Sequence, residues 1–191
     1  VAIVLVTGLS YIIARPYLVG NGLSGNDAYS FYSVVLWVSK YFPNVPFWYP
    51  LAGSGVSITS GYPIFSAYLV TIIAKISSFD LVQSFRLLGF LSVPLLSLGV
   101  FFLVYTRLTS IKNGLVRVML GLIAAIFVVA SPNSWLWLTR WGFYAESISY
   151  IFVPWAILFF DLFLENTIEG KRGWGYRIGI LGSLIFLLLS F

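Results

Sequence analysis

Apolar residues run in long, nearly unbroken blocks along this chain, and polar residues gather between the blocks. Three internal blocks, Leu87–Tyr105, Leu115–Ser131 and Ser147–Leu164, approach the ~20 residues that a helix needs to cross ~30 Å of hydrocarbon. Two more, Val1–Ala14 and Ile178–Phe191, sit at the two ends. Each holds about 14 residues, or ~21 Å of helix at ~1.5 Å per residue, so each is expected to be a cut span. The pattern predicts an all-α, polytopic protein of about five spans. Because the sequence starts at Val1 inside a block, the expectation is one transmembrane domain over 1–191, the N-terminal part of a longer chain.

Pro63–Ile76 is as short as the end blocks, but no chain end accounts for it. The distribution of Lys and Arg decides its place, because short cytoplasmic loops carry the excess of both. If Pro63–Ile76 stays on one side, the loops Thr106–Arg117 (Arg107, Lys112, Arg117) and Glu165–Arg177 (Lys171, Arg172, Arg177) share a face, expected to be cytoplasmic. The other face then holds 15–86 and the short loop Pro132–Glu146, with Arg15, Lys40, Lys75, Arg86 and Arg140 spread thinly over both. A crossing at Pro63–Ile76 breaks this asymmetry. The non-crossing arrangement is adopted.

Residues 15–86 therefore form an external loop of about 70 residues, a length that implies structure or function. Within it Phe31, Val34, Val35, Val38 and Phe42 recur at helical spacing, with Asn26, Ser30, Ser33 and Lys40 on the other side. Asn26 or Asp27 can cap this helix and Pro43 stops it. Pro63 suits the first turn of a second amphipathic helix running to Ile76. Pro46–Tyr62, rich in Gly, Pro and aromatics, reads as an ordered loop joining two interfacial helices, the whole a lid at the outer face.

Composition agrees with this picture. Of 191 residues 60 % are hydrophobic and 9 % charged, against roughly 25 % charged in a soluble domain. Six acids and eleven bases cannot cover a water-soluble surface of this size, which excludes a soluble enzyme, a nucleic-acid-binding module and a disordered chain. No nucleic-acid partner is expected from the net charge of +5, since the bases follow membrane orientation. Without Cys or His, thiol nucleophiles, zinc fingers and His-based triads are also excluded. An aromatic content of 19 %, with seven Trp, suits a protein with much surface at the lipid–water boundary.

The six carboxylates then carry the chemical signal. Asp161, Glu165 and Glu169 read as solvated charges at the cytoplasmic end of a span, and Asp80 as the start of the helix that follows it. Asp27 and Glu146 differ, since both lie on the external side at a membrane boundary among aromatic residues. Each reads either as a helix-end charge or as part of a site, and Arg140 stands near Glu146. A carboxylate at an apolar boundary can act as a base, and Arg binds phosphate bidentately.

Phe47-Trp48-Tyr49-Pro50-Leu51, Gly53, Gly55 and Gly61-Tyr62-Pro63 together resemble the first external loop of oligosaccharyltransferase catalytic subunits, with their Trp-Tyr-Pro-Leu-Gly and Tyr-Pro-Gly runs. These belong to the GT-C superfamily of polyprenyl-phosphate-sugar-dependent glycosyltransferases. Gly61-Tyr62-Pro63-Ile64-Phe65 with Ala67-Tyr68 is also similar to archaeal and bacterial membrane proteins named 6-pyruvoyl-tetrahydropterin-synthase-related, a name that implies no pterin chemistry. The likeness implies a glycosyltransferase that takes a polyprenyl-phosphate-linked sugar at the outer face of a prokaryotic plasma membrane, with membrane lipid and possible further subunits as partners.

Residue by residue, Asp27 matches the first-loop Asp, a metal ligand in oligosaccharyltransferases and the base on the acceptor in metal-independent relatives. Glu146 matches the last acid of the second-loop Asp-any-Glu motif, whose first acid is Tyr144 here. Asp27 is followed by Ala-Tyr-Ser in place of the usual Pro-Tyr. A divalent metal needs several oxygen ligands, so the loss of one carboxylate disfavours a bound metal, no cofactor is expected, and protein N-glycosylation in particular is disfavoured. Asp27 is thus the expected acceptor base, Glu146 a second acid, and Arg140 a phosphate contact. Trp48 and Tyr62 either line the sugar cavity or anchor the loop at the interface. A non-catalytic subunit that binds lipid or partner proteins is the alternative. A transporter ranks third, since the span interiors offer almost no polar residues for a path.

Overall fold

A computed structural model of the protein describes residues 2–20, 23, 25–50, 56–57, 64–141, 144–168, 179–180 and 182, and of 56–57, 137, 141, 144–146 and 166 the backbone alone. The described chain is helical apart from one short ribbon. In order it forms α1 (Ala2–Val19), α2 (Ala28–Tyr41), β1 (Trp48–Tyr49), β2 (Val56–Ser57), α3 (Ile64–Ile76), α4 (Leu81–Arg107), α5 (Gly114–Ala130), α6 (Pro132–Leu136), a π-helical turn (Trp137–Trp141) and α7 (Tyr144–Ile168). β1 and β2 pair antiparallel, Trp48 with Ser57 and Tyr49 with Val56.

Among the described residues three helices are long and apolar enough to cross a membrane: α1, α4 and Ser147–Glu165 of α7. Gly114–Ala130 with Pro132–Arg140 makes a fourth if the pair is one broken span. The protein is thus a membrane protein with three to four candidate spans among the described residues. The expected span at Ile178–Phe191 lies outside the described residues except for 179–180 and 182. α3 has 13 residues, ~20 Å of helix, and falls short of the hydrocarbon thickness.

Helix ends depart from the hydropathy blocks for identifiable reasons. α1 passes the boundary expected at Ala14 and runs through Arg15 and Pro16 to Val19; Arg is a good helix former and does not end a helix by itself. α4 starts at Leu81, six residues before Leu87, because Asp80 and Gln83 form a reciprocal cap. The Asp80 carboxylate accepts from the Gln83 N–H at 2.7 Å, and the Gln83 side-chain oxygen accepts from the Asp80 N–H at 3.1 Å. The segment outside both helices is therefore shorter than 15–86. At α5 the Asn113 side chain accepts from the N–H groups of Leu115 and Val116.

The chain divides into two compact units. The first holds 1–11, 92–131 and 149–191. In it α4 packs on α5 through a buried bond from Ser97 Oγ to the Ala125 carbonyl, 2.6 Å, and through Gly121, where a Cβ would lie 2.9 Å from the Phe101 ring. α4 also meets α7 closely, since a Cβ on Gly99 would come within 2.7 Å of the Pro154 ring. Small residues at these crossings let helices approach where no hydrophobic effect drives them together. Arg107 pairs with Asp161, which is 15 % exposed within α7. Asp161 is not the solvated charge expected from the sequence, because α7 continues past it and turns it toward the end of α4. Arg117 donates two bonds to the Tyr105 carbonyl, 2.7 and 3.1 Å, and its guanidinium lies over the Tyr105 ring. A cation thus closes the C-terminal end of α4, where the helix dipole is negative.

The second unit holds 12–91 and 132–148, and so combines 12–19 of α1, α2, α3, the first turns of α4, the π turn and the start of α7. α2 buries Ala28, Phe31, Val34, Val35 and Val38, and the face is apolar at the spacing read from the sequence. It packs on Ser66, Ala67, Val70 and Thr71, the buried residues of α3. Phe31 and Tyr32 both lie 5.7 Å from the Phe85 ring and hold α2 against the start of α4. Arg86, buried in α4, donates to the Gly20 carbonyl just past the end of α1. Arg86 thus lies inside a helix and not at the end of the 15–86 loop expected from the sequence.

Candidate functional site

Asp27 is presented by a tight turn. Gly25 adopts φ 100°, a conformation that L side chains rarely reach, and its carbonyl accepts from the Ala28 N–H at 3.4 Å. Asp27 follows as the N-cap of α2, with φ −96° and ψ 0°. An N-cap side chain reaches back to the helix N–H groups from extended backbone, and Asp27 lies outside that region. Its backbone carbonyl accepts from Phe31 N–H at 3.0 Å, while its side chain makes no capping bond. The residue therefore occupies a cap position without its carboxylate serving as a cap. That carboxylate is solvent-exposed.

Beside Asp27 the chain meets the second loop. The Asn26 N–H donates to the Arg140 carbonyl at 3.2 Å, joining positions 114 apart in sequence. Arg140 belongs to the π-helical turn, a rare geometry that recurs at functional sites. Its side chain is exposed. A carboxylate one residue from this bond and a guanidinium on its acceptor residue thus fall in one compact unit. Chemically this supplies a group able to take a proton and a group able to bind an anion.

The ribbon distributes its aromatics by alternation. Trp48 points outward and is 54 % exposed, whereas Tyr49 is buried at 2 %. The Tyr49 hydroxyl and Ser33 Oγ share a hydrogen bond of 2.6 Å, and the Tyr49 ring lies edge-on to Trp37, 5.9 Å between centroids. Tyr49 pins the ribbon to α2, a role the Phe-Trp-Tyr-Pro run does not reveal, since alternation over two residues leaves either ring free to be the inner one. Tyr62 lies outside the described residues, as do residues 51–55 and 58–61 of the aromatic loop and Pro63. Glu146 falls in the first turn of α7, and only its backbone is described. Among the described residues no group of three His, Cys, Asp or Glu is placed to hold a metal ion.

One electrostatic feature at the contact of α2 with α4 was not read from the sequence. Tyr32 on α2 has its phenol pushed up from the ordinary 10.0, first by burial and then by the negative charge of Asp80. Its ring lies edge-on to Phe85. Asp80 thus caps α4 and also adds to the rise that burial gives the Tyr32 phenol.

No family model, curated protein or solved structure matches the chain.

Proposed function

We propose that the chain is part of a membrane glycosyltransferase of GT-C type, transferring a sugar from a polyprenyl-phosphate donor to an acceptor on the external face. The observation that carries this reading is the Asn26–Arg140 hydrogen bond beside an Asp27 whose side chain does no capping. The resemblance of the aromatic loop supplies the reaction class. In the proposed reaction Asp27 removes the proton of an acceptor hydroxyl, and the resulting oxygen forms a bond to the anomeric carbon. The bond from that carbon to phosphate oxygen breaks, and polyprenyl phosphate leaves with the electron pair. Arg140 neutralises the charge growing on that phosphate. Glu146 serves as a second acid, and Trp48 offers an exposed ring against which a sugar stacks. The donor's lipid tail stays in the bilayer throughout.

A second reading, a non-catalytic subunit that binds lipid or partner proteins, is favoured by Tyr144 standing where the related motif has its first acid. Sugar transfer measured with the full-length protein in membranes separates the two. A positioned base contributes about 10²–10⁴-fold, so Asp27→Asn should lower transfer by that much. Loss of one charge-stabilising donor costs about 10²–10³-fold, which is the decrease expected of Arg140→Ala. Full transfer by both variants would overturn the catalytic reading.

A further inference from the structure

α3 shows two opposed faces. Ser66, Ala67, Val70 and Thr71 are buried, while Phe65, Ile72 and Ile76 are exposed, Ile76 at 80 %. At 100° per residue these three exposed positions fall within about 40° of one another and opposite the buried set, so they form one apolar stripe. Two lysines gather at the C-terminal end of this helix and of α2. Lys75 Nζ lies 5.5 Å from the Phe42 ring centroid, and Lys40 Nζ lies 5.2 Å from that of Tyr41, the preceding residue. Both lysines are exposed. Neither forms an ion pair among the described residues. A helix C-terminus carries about half a negative charge, so each full ammonium leaves a positive excess.

We infer that this corner docks on the bilayer surface and selects anionic phospholipid headgroups. The apolar stripe of α3 enters the headgroup–acyl boundary, and Lys40 and Lys75 take the phosphates above it. Three observations favour a lipid occupant. α3 is too short to cross, it is joined through residues 77–80 to the candidate span α4, and its charge excess is complementary to an anionic surface. Lysine stems also lie along apolar surface while their heads reach phosphate. The inference is independent of any sugar transfer.

The protein has no Cys, so Ile76→Cys in the full chain accepts a single fluorophore. Its quenching is compared in bilayers of brominated phosphatidylglycerol and brominated phosphatidylcholine. Quenching by both lipids is expected, with phosphatidylglycerol favoured about fivefold per lysine engaged. In the Lys40→Gln/Lys75→Gln variant the preference should fall to unity while quenching by phosphatidylcholine persists. The persistent quenching shows that the fold and the docked stripe survive. Absence of quenching by either lipid would mean that protein or water covers the stripe and would overturn the inference. Equal quenching in the parent chain, or a preference that survives loss of both lysines, would overturn it as well.

Discussion

Tyr32 ties the electrostatics of the α2–α4 contact to pH. Its folded-state pKa is raised above 10.0 by burial and by Asp80. As pH climbs past 10 the unfolded chain gives up this proton and the folded chain keeps it. The associated stability is complete below pH 10 and is lost as pH rises through the raised folded value. Tyr32→Phe should therefore flatten part of the alkaline fall in unfolding temperature. Asp80→Asn, which keeps the cap and removes the charge, should lower the Tyr32 titration midpoint only in part, because burial is the larger cause. Difference absorbance of the phenolate measures both. The sequence shows Asp80 ahead of a helix, but the approach of Tyr32 depends on the packing of α2 on Phe85, which no local pattern carries. Asp27 was legible, together with Glu146, as an acid set apart from the other four. That its side chain leaves the cap unmade follows from the turn at Gly25, whose backbone no residue pattern specifies.

Helix α2 was the most legible element, since Phe31, Val34, Val35 and Val38 repeat at helical spacing and Pro43 closes the run. Spans were legible in their interiors and misread at their ends. Hydropathy stops at a charge, whereas α4 begins at the Asp80–Gln83 cap and carries Arg86 inside it. Tyr49 was missed because its partner, Ser33, lies on another element. The crossing of α4 and α5 allows a comparison of packing with hydrogen bonding. Gly121→Val would drive a side chain into Phe101, at a cost of about 1–3 kcal/mol for overpacking. Ser97→Ala removes one interhelical bond, worth about 0.6 kcal/mol on average in membranes. Unfolding in detergent micelles should rank the glycine variant as the more damaging of the two.

Across the whole molecule, the membrane character followed from composition and block length, while the ends and bends of the spans did not, because caps and helix breaks are not visible in hydropathy. The second compact unit collects 12–19 of α1, the start of α4, the residues following α5 and the start of α7. The basic segment between α4 and α5, with Arg107, Lys112 and Arg117, belongs to the first unit. With Lys/Arg-rich loops placed in the cytoplasm, Lys40 should be external and Lys112 internal. In whole cells a membrane-impermeant maleimide should label Lys40→Cys and spare Lys112→Cys until the membrane is opened. The reverse labelling pattern would invert the orientation and overturn the proposed external placement of Asp27 and Arg140.

The contact of Arg86 with the Gly20 carbonyl links positions 66 apart and fastens the base of the excursion that carries α2, β1, β2 and α3. Once a chain segment is gathered at its root, the entropy of closing it grows only as the logarithm of its length. Ten residues inserted after Asn44, an exposed position between α2 and β1, also lengthen the tighter circuit that the Ser33–Tyr49 bond closes over 16 positions, and would cost roughly 0.4 kcal/mol in closure entropy. An epitope grafted there should be displayed with an almost unchanged melting temperature, whereas the same graft in an Arg86→Ala background would have an unfastened root.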